Sequence, residues 1–177
     1  MKNAKVLLVA MLAVGTLLTG CGGGDTNTDA KSSQSTDDTA KKESKGYKFD
    51  LKGVTVSMNE EMAPIVEKLG EADNYFESES CAFQGMDKVY TYGSVVVTTY
   101  PENEVDYVYT IELKDDTVTT QEGLYIGATK EDVIAKYGEA TTATDNALVY
   151  EKDDSKLSFI MDDGATVSSI TYTAITE

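Results

Sequence analysis

From Tyr47 to the end of the chain, apolar side chains come in short runs with two different periods. Met62, Ile65, Val66 and Leu69 recur at i, i+3, i+4 and i+7, one stripe along an amphipathic helix. Pro64 falls in the first turn of that helix, where a missing N–H is tolerated. Gly70 follows the last apolar position, where a left-handed backbone suits glycine. A shorter stripe of Val133, Ile134 and Tyr137 ends at Gly138; Thr129 is placed to cap it, with Asp132 at the third helical position. Elsewhere the period is two. Val105, Tyr107, Tyr109, Ile111 and Leu113 alternate with Asp106, Val108, Thr110 and Glu112, which predicts a strand with one apolar and one mostly polar face.

The same reading predicts strands over "GVTVSM", residues 88–92, 95–100 and 105–113, and then over "GLYIG", 147–151, 156–161 and 166–172. "YGSV" carries glycine first in a two-residue hairpin turn, and "MDDGA" holds an Asp-Gly turn signal. The helical segment "IVEKLGEA" returns 68 residues later as "VIAKYGEA", with four of eight positions identical. Each copy follows one predicted strand and precedes three. The expected architecture is therefore α+β: two tandem β-α-β-β-β units forming an antiparallel sheet, with helices packed on one face. The first repeat runs over about residues 53–115 and the second over about 123–174, inside a globular domain of residues 47–177.

The first twenty residues follow another pattern. Lys2 and Lys5 precede an apolar run from Val6 to Leu18, and small residues follow, the layout of an export signal over residues 1–20. The run of about thirteen residues is too short for a membrane-spanning helix, which needs about 20. Residues 21–46 are polar and low in complexity, rich in Gly, Ser, Thr, Asp and Lys, and read as a disordered tether. As a flexible coil such a tether spans about 25–30 Å on average.

"LTGC", residues 18–21, resembles the lipobox of bacterial lipoproteins. The resemblance implies that the Cys21 thiol carries a diacylglyceryl group and becomes the mature N-terminus, anchoring the chain to the bacterial cell membrane with the domain facing outside. Two acyl chains make a durable anchor where one does not.

The chain carries 15 lysines, no arginine, no histidine and 31 acidic residues, for a formal net charge of −16. Loss of Lys2 and Lys5 takes the mature form to about −18, which argues against nucleic acid and anionic headgroups as partners. Without imidazole, Ser-His-Asp and Cys-His nucleophiles and histidine-based zinc sites are not to be expected. Without guanidinium, bidentate phosphate recognition is absent. The expectation is a protein that is not an enzyme and uses no cofactor.

The "KLGEA"/"KYGEA" pair and the order of elements, over residues 54–172, resemble the β-lactamase-inhibitory-protein fold, whose two tandem units each set a helix against antiparallel sheet. A single unit is similar to the small lipoproteins of outer-membrane assembly. The resemblance implies a non-enzymatic protein-binding module, an inhibitor of an extracellular enzyme being one form of it.

Four sets of residues are candidates for chemistry or recognition. Cys21 is the lipidation site that the lipobox resemblance implies. Cys81 then lacks an intramolecular partner and reads as a buried small hydrophobe; a reactive thiol needs a nearby cation, and the nearest in sequence is Lys88. Tyr90 and Tyr92 share one side of the sheet with Val97 and Val95. They form a partner-facing patch if that side is away from the helices, and core if it is the helix side; a one-residue slip exchanges the two. The acidic clusters "LKDDT", "EKDDS" and "MDDG" suggest an alternative, a small-ligand or calcium-binding surface lipoprotein. None has the EF-hand spacing, and aspartate is common in turns for backbone reasons.

Overall fold

The computed structural model describes residues 45–176. The export signal, Cys21 and the expected tether up to residue 44 lie outside the described residues. Chain order is β1 (Lys48–Leu51), β2 (Val54–Ser57), α1 (Met62–Leu69), β3 (Asn74–Glu79), β4 (Met86–Tyr92), β5 (Val95–Glu102), β6 (Val105–Leu113), α2 (Lys130–Tyr137), β7 (Thr142–Ala143), β8 (Ala147–Lys152), β9 (Ser155–Ile160) and β10 (Ser169–Ala174). The fold is α+β. Strands β3 to β10 form one eight-stranded antiparallel sheet in the order β3-β4-β5-β6-β10-β9-β8-β7, and β1 and β2 form a separate hairpin.

The register explains why the sheet holds. Tyr92, Val95, Leu113, Ile170, Phe159 and Leu148 stand opposite one another in turn from β4 to β8. All six are buried. The next row on that face runs Tyr75, Tyr90, Val97, Ile111, Tyr172, Leu157 and Tyr150. Apart from Tyr75, which is exposed at the sheet edge, these rows form the floor of the core, and Met62, Ile65 and Val133 from the helices close it with Phe49, Val56 and Met58 from the β1–β2 region. Burial of each large apolar side chain contributes roughly 1.5–3 kcal/mol, so the two rows carry much of the stability.

Turn chemistry sets the hairpins. Lys52 and Gly53 between β1 and β2, and Asn103 and Glu104 between β5 and β6, all have positive φ, the pairing that matches the right-handed strand twist. In the β4–β5 turn only Gly93 does, in keeping with glycine at the first turn position. Both helices end alike. The N–H of Gly70 donates to Val66 O and that of Gly138 to Ile134 O, each at 2.8 Å. The Gly70 carbonyl accepts from the Tyr92 hydroxyl at 3.2 Å, and the Gly138 carbonyl from Tyr150 at 3.1 Å. Those bonds put both helix ends over the same face of the sheet.

Five expectations are corrected. The strand expected to keep one apolar face from Val105 to Leu113 does not: its register with β5 shifts between Thr98 and Thr99, passing over Tyr109, so Val108, expected on the polar face, is buried in the core. The strand over "GLYIG" is absent. There the Thr120 N–H donates to Leu124 O and Gly123 N–H to Thr120 O, closing a local turn. Only past it does the chain pair with a distant segment, Gly127 N–H donating to Val167 O and Val167 N–H to Ala128 O; Leu124 is buried as an anchor. Strand β3 occupies a stretch read as a connection. Strand β10 begins three residues later than expected, because Ala165 and Thr166 are held in a turn by Asp163. Cys81 is exposed: the Ser80 hydroxyl accepts from the Ala82 and Phe83 N–H groups, and the turn sends Phe83 onto Tyr100, ring centroids 4.9 Å apart, leaving the thiol outside.

The folded part also takes in Gly46, the last residue of the expected tether. It is buried, and its N–H donates to Asp154 Oδ1 at 3.1 Å while Tyr47 N–H donates to Ser155 Oγ at 2.7 Å. A Cβ at residue 46 would lie 2.2 Å from Ser155 Oγ. Only glycine lets the chain join the domain this close to the β8–β9 turn.

Candidate binding surfaces

The sheet face away from the helices follows from the same register. One row runs Asn74, Thr91, Val96, Glu112, Thr171, Ser158, Val149 and Thr142. The next runs Phe76, Val89, Thr98, Thr110, Thr173, Lys156 and Glu151. Between the edge strands these side chains are half-buried, apart from exposed Glu151. Short β-branched residues dominate, and the face keeps few charges: Lys156 pairs with Glu151 at 3.1 Å and Lys114 with Glu112 at 2.9 Å. Such exposed pairs contribute little to stability. The aromatic residue in these rows is Phe76, at the rim and 60% exposed.

Tyr92, one of the two candidate partner-facing residues, is 1% exposed and belongs to the helix-side core. Its ring also lies 5.4 Å below the Lys52 ammonium, a cation–π contact. Tyr90 is half-buried on that side, its ring centroid 5.0 Å from that of Tyr75. Of the two readings of this pair, the structure takes the core one for Tyr92 and leaves Tyr90 covered by Tyr75. Sequence reasoning missed the aromatic residues that do face solvent on β3. The signal for them lies in the pairing itself, because Tyr75 stands opposite Tyr90 and Glu77 opposite Lys88, both favourable cross-strand pairs.

The acidic turns use their oxygens locally. Asp115 accepts from the Ser94 hydroxyl at 2.6 Å and from the Thr117 N–H at 2.9 Å, and these bonds hold its carboxyl below the usual range. Asp163 is lowered in the same way by the Thr166 and Ala165 N–H groups. Among the described residues no three acidic or thiol side chains converge as a metal cage. Lys88 bonds Asp106 at 2.6 Å, and that hydrogen bond holds its ammonium above the ordinary value.

A cleft of about 460 Å³ opens beside the β1–β2 hairpin, lined by Phe49, Leu51, Tyr92, Val95 and residues 117–121. Its single lining carboxylate, Asp50, accepts from Gly53 N–H at 2.9 Å. Cleavage of a glycosidic bond needs two facing acids, so the cleft is not equipped for that reaction. A smaller polar groove of about 380 Å³ lies against Tyr47, Lys48, Glu122 and Lys152. Beneath it Tyr137 donates to Glu122, and burial together with that carboxylate pushes the phenol upward. No known protein family, curated protein or solved structure matches the chain.

Proposed function

We propose that this chain is an exported bacterial lipoprotein, anchored through Cys21, whose α+β domain binds another protein and performs no chemistry of its own. Inhibition of an extracellular enzyme is one form such binding takes. The observation that carries the reading is the sheet face opposite α1 and α2, from Thr91 and Val89 on β4 to Val149 on β8, a broad surface of short side chains with few charges. Protein interfaces differ from other surfaces chiefly by depletion of charge at their centre. The lack of histidine and the single lining carboxylate of the cleft beside β1–β2 support a binding rather than a catalytic role.

The domain is further read as a duplication of one α-β-β-β-β unit, α1 to β6 and α2 to β10, meeting where β6 pairs with β10. Matching tyrosine-to-glycine bonds at the two helix ends support this. The paired residues are 22 apart in the first half and 12 apart in the second, the longer β3–β4 hairpin taking up the difference.

Two measurements test the reading. Mass spectrometry of the natural protein is expected to find a diacylglyceryl-modified residue 21 at the N-terminus; an unmodified residue, or an uncut leader on a cytosolic species, ends the lipoprotein assignment. Affinity capture from the producing cell's envelope is expected to recover a partner that a Val96→Lys, Thr171→Lys chain no longer holds. Equal recovery by the variant removes the sheet face from the account, and no partner at all removes the binding role.

A further inference from the structure

The eight-stranded sheet ends differently at its two edges. Strand β7 has two residues, and the chain around it continues to cover β8: Thr141 Oγ1 accepts from Glu151 N–H, and Thr144 N–H donates to Ala147 O. Strand β3 has six residues, every one exposed. Proteins usually blunt such an edge with lysine, proline, a bulge or a covering segment. "NYFESE" holds no lysine or proline, and its register with β4 is unbroken from Asn74 to Glu79.

The backbone groups that face outward can be named. Ser80 N–H donates to Gly85 O, continuing the β3–β4 register, so residues 80, 78, 76 and 74 are the bonded pairs and the alternate ones point away. The two-residue turn at Gly93-Ser94 gives the same phase, since Tyr92 bonds Val95 on β5 and Thr91, Val89 and Asp87 are left for β3. Tyr75, Glu77 and Glu79 therefore hold N–H and C=O groups open to another strand.

We infer that the β3 edge receives an extended segment of a basic partner protein, which adds as a ninth strand. The inference rests on the protein-binding role and specifies a second surface for it. Main-chain bonds to Tyr75, Glu77 and Glu79 supply affinity, and side chains at alternate positions supply selectivity. Glu77 and Glu79 lie on one side of the strand, and Glu71 and Asp73 precede it, with no cation between Lys68 and Lys88. The Lys88 ammonium is held by Asp106. The partner segment that fits alternates lysine or arginine, opposite the glutamates, with apolar residues that reach Phe76 on the other side. A second copy of this chain does not fit: it would set acid against acid between bodies whose formal charge is −16. The edge is also clear of the point where the chain joins the domain. Gly46 sits at the β8–β9 turn, and β9 lies five strand spacings from β3, roughly 24 Å across the sheet.

The test uses the full chain in a mild detergent with two synthetic octapeptides, one alternating lysine with valine and one alternating glutamate with valine. The lysine peptide is expected to slow amide exchange at Tyr75, Glu77 and Glu79 by at least about tenfold, the equivalent of about 1.4 kcal/mol, and the glutamate peptide to leave it unchanged. Glu77→Pro removes one outward N–H while keeping the β3–β4 bonds, and should abolish protection; proline is tolerated where an edge N–H faces solvent. The double variant Glu77→Lys, Glu79→Lys keeps every backbone group and should lose the lysine peptide as well. Protection by both peptides alike, protection elsewhere, no protection, or concentration-dependent self-association through β3 overturns the inference. If the envelope partner is captured equally by Glu77→Pro, the edge is refuted while the protein-binding role stands.

Discussion

Helices α1 and α2 each have eight residues and end on a glycine clamped by a tyrosine, yet they are held by different forces. Helix α1 has no side-chain cap and no acid in its first turn, but buries Met62 and Ile65. Helix α2 buries only Val133 and leaves Ile134 45% exposed, and its N-terminus carries a full capping box between Thr129 and Asp132. One helix is held by apolar burial and the other depends more on satisfied N-terminal N–H groups. A helix of two turns is unstable alone, so each needs one device or the other. The sheet repeats the contrast: the first half ends in an open six-residue strand and the second in a covered stub. Two helices of similar sequence can therefore differ in what holds them, and the sheet edges beyond them in whether they stay open.

Truncating the burial device should have the largest effect. Ile65→Ala is expected to cost about 2–5 kcal/mol by urea denaturation, against about 2 kcal/mol for Val133→Ala, which removes two methyl groups. Equal costs would erase the distinction between the helices. Gly46→Ala, which drives a Cβ into Ser155 Oγ, is expected to lower stability by about 1–3 kcal/mol. That loss would tie the start of the domain to its second half, and a neutral result would show that Gly46 is not part of the folded unit.

The capping contrast is sharper but smaller. Thr129→Ala should cost about 1 kcal/mol, whereas Glu61→Ala at the matching place before α1 should stay within about 0.5 kcal/mol. Tyr92→Phe and Tyr150→Phe each leave a helix-end carbonyl without its hydroxyl partner and should cost about 1 kcal/mol apiece. A large inequality between them would argue against equivalent halves.

The smallest effect concerns acid. The Thr129 hydroxyl and N–H hold the Asp132 carboxyl below its ordinary value. Its contribution is therefore complete above the usual carboxylate range and disappears as pH falls through the lowered folded value. Protection of amides in the first turn of α2, measured against their intrinsic exchange rates at each pH, should fall below about pH 4 with no matching change at α1, which has no acid in its first turn.

How much of this was legible depends on burial. Strand β9 alternates because one face is buried and the other is not, and that difference is written in residue type. The Val95–Val97 run of β5 does not show it, and in β6 the register shift between Thr98 and Thr99 puts buried Val108 out of phase with Ile111 and Leu113. Strand β3 has no buried face, so "NYFESE" has no alternation to read. "GLYIG" shows the opposite failure, where Leu124 is buried as an anchor and imitates a strand's period. The candidate surface was less legible still: Tyr90 and Tyr92 were recognisable as a same-side pair, but which side the helices covered was not.

Sequence alone determined the local elements: both helix stripes and their terminal glycines, the Thr129 cap, the Gly93-Ser94 turn, the α+β class and the acidic balance. These depend on neighbours a few residues apart, and chain chemistry controls them. Tertiary structure alone decided that β6 and β10 meet at the centre, that Tyr92 is core, that Cys81 faces water and that β3 stands open. Each of those depends on which face is covered and which edge is paired, and burial of distant segments against one another sets both.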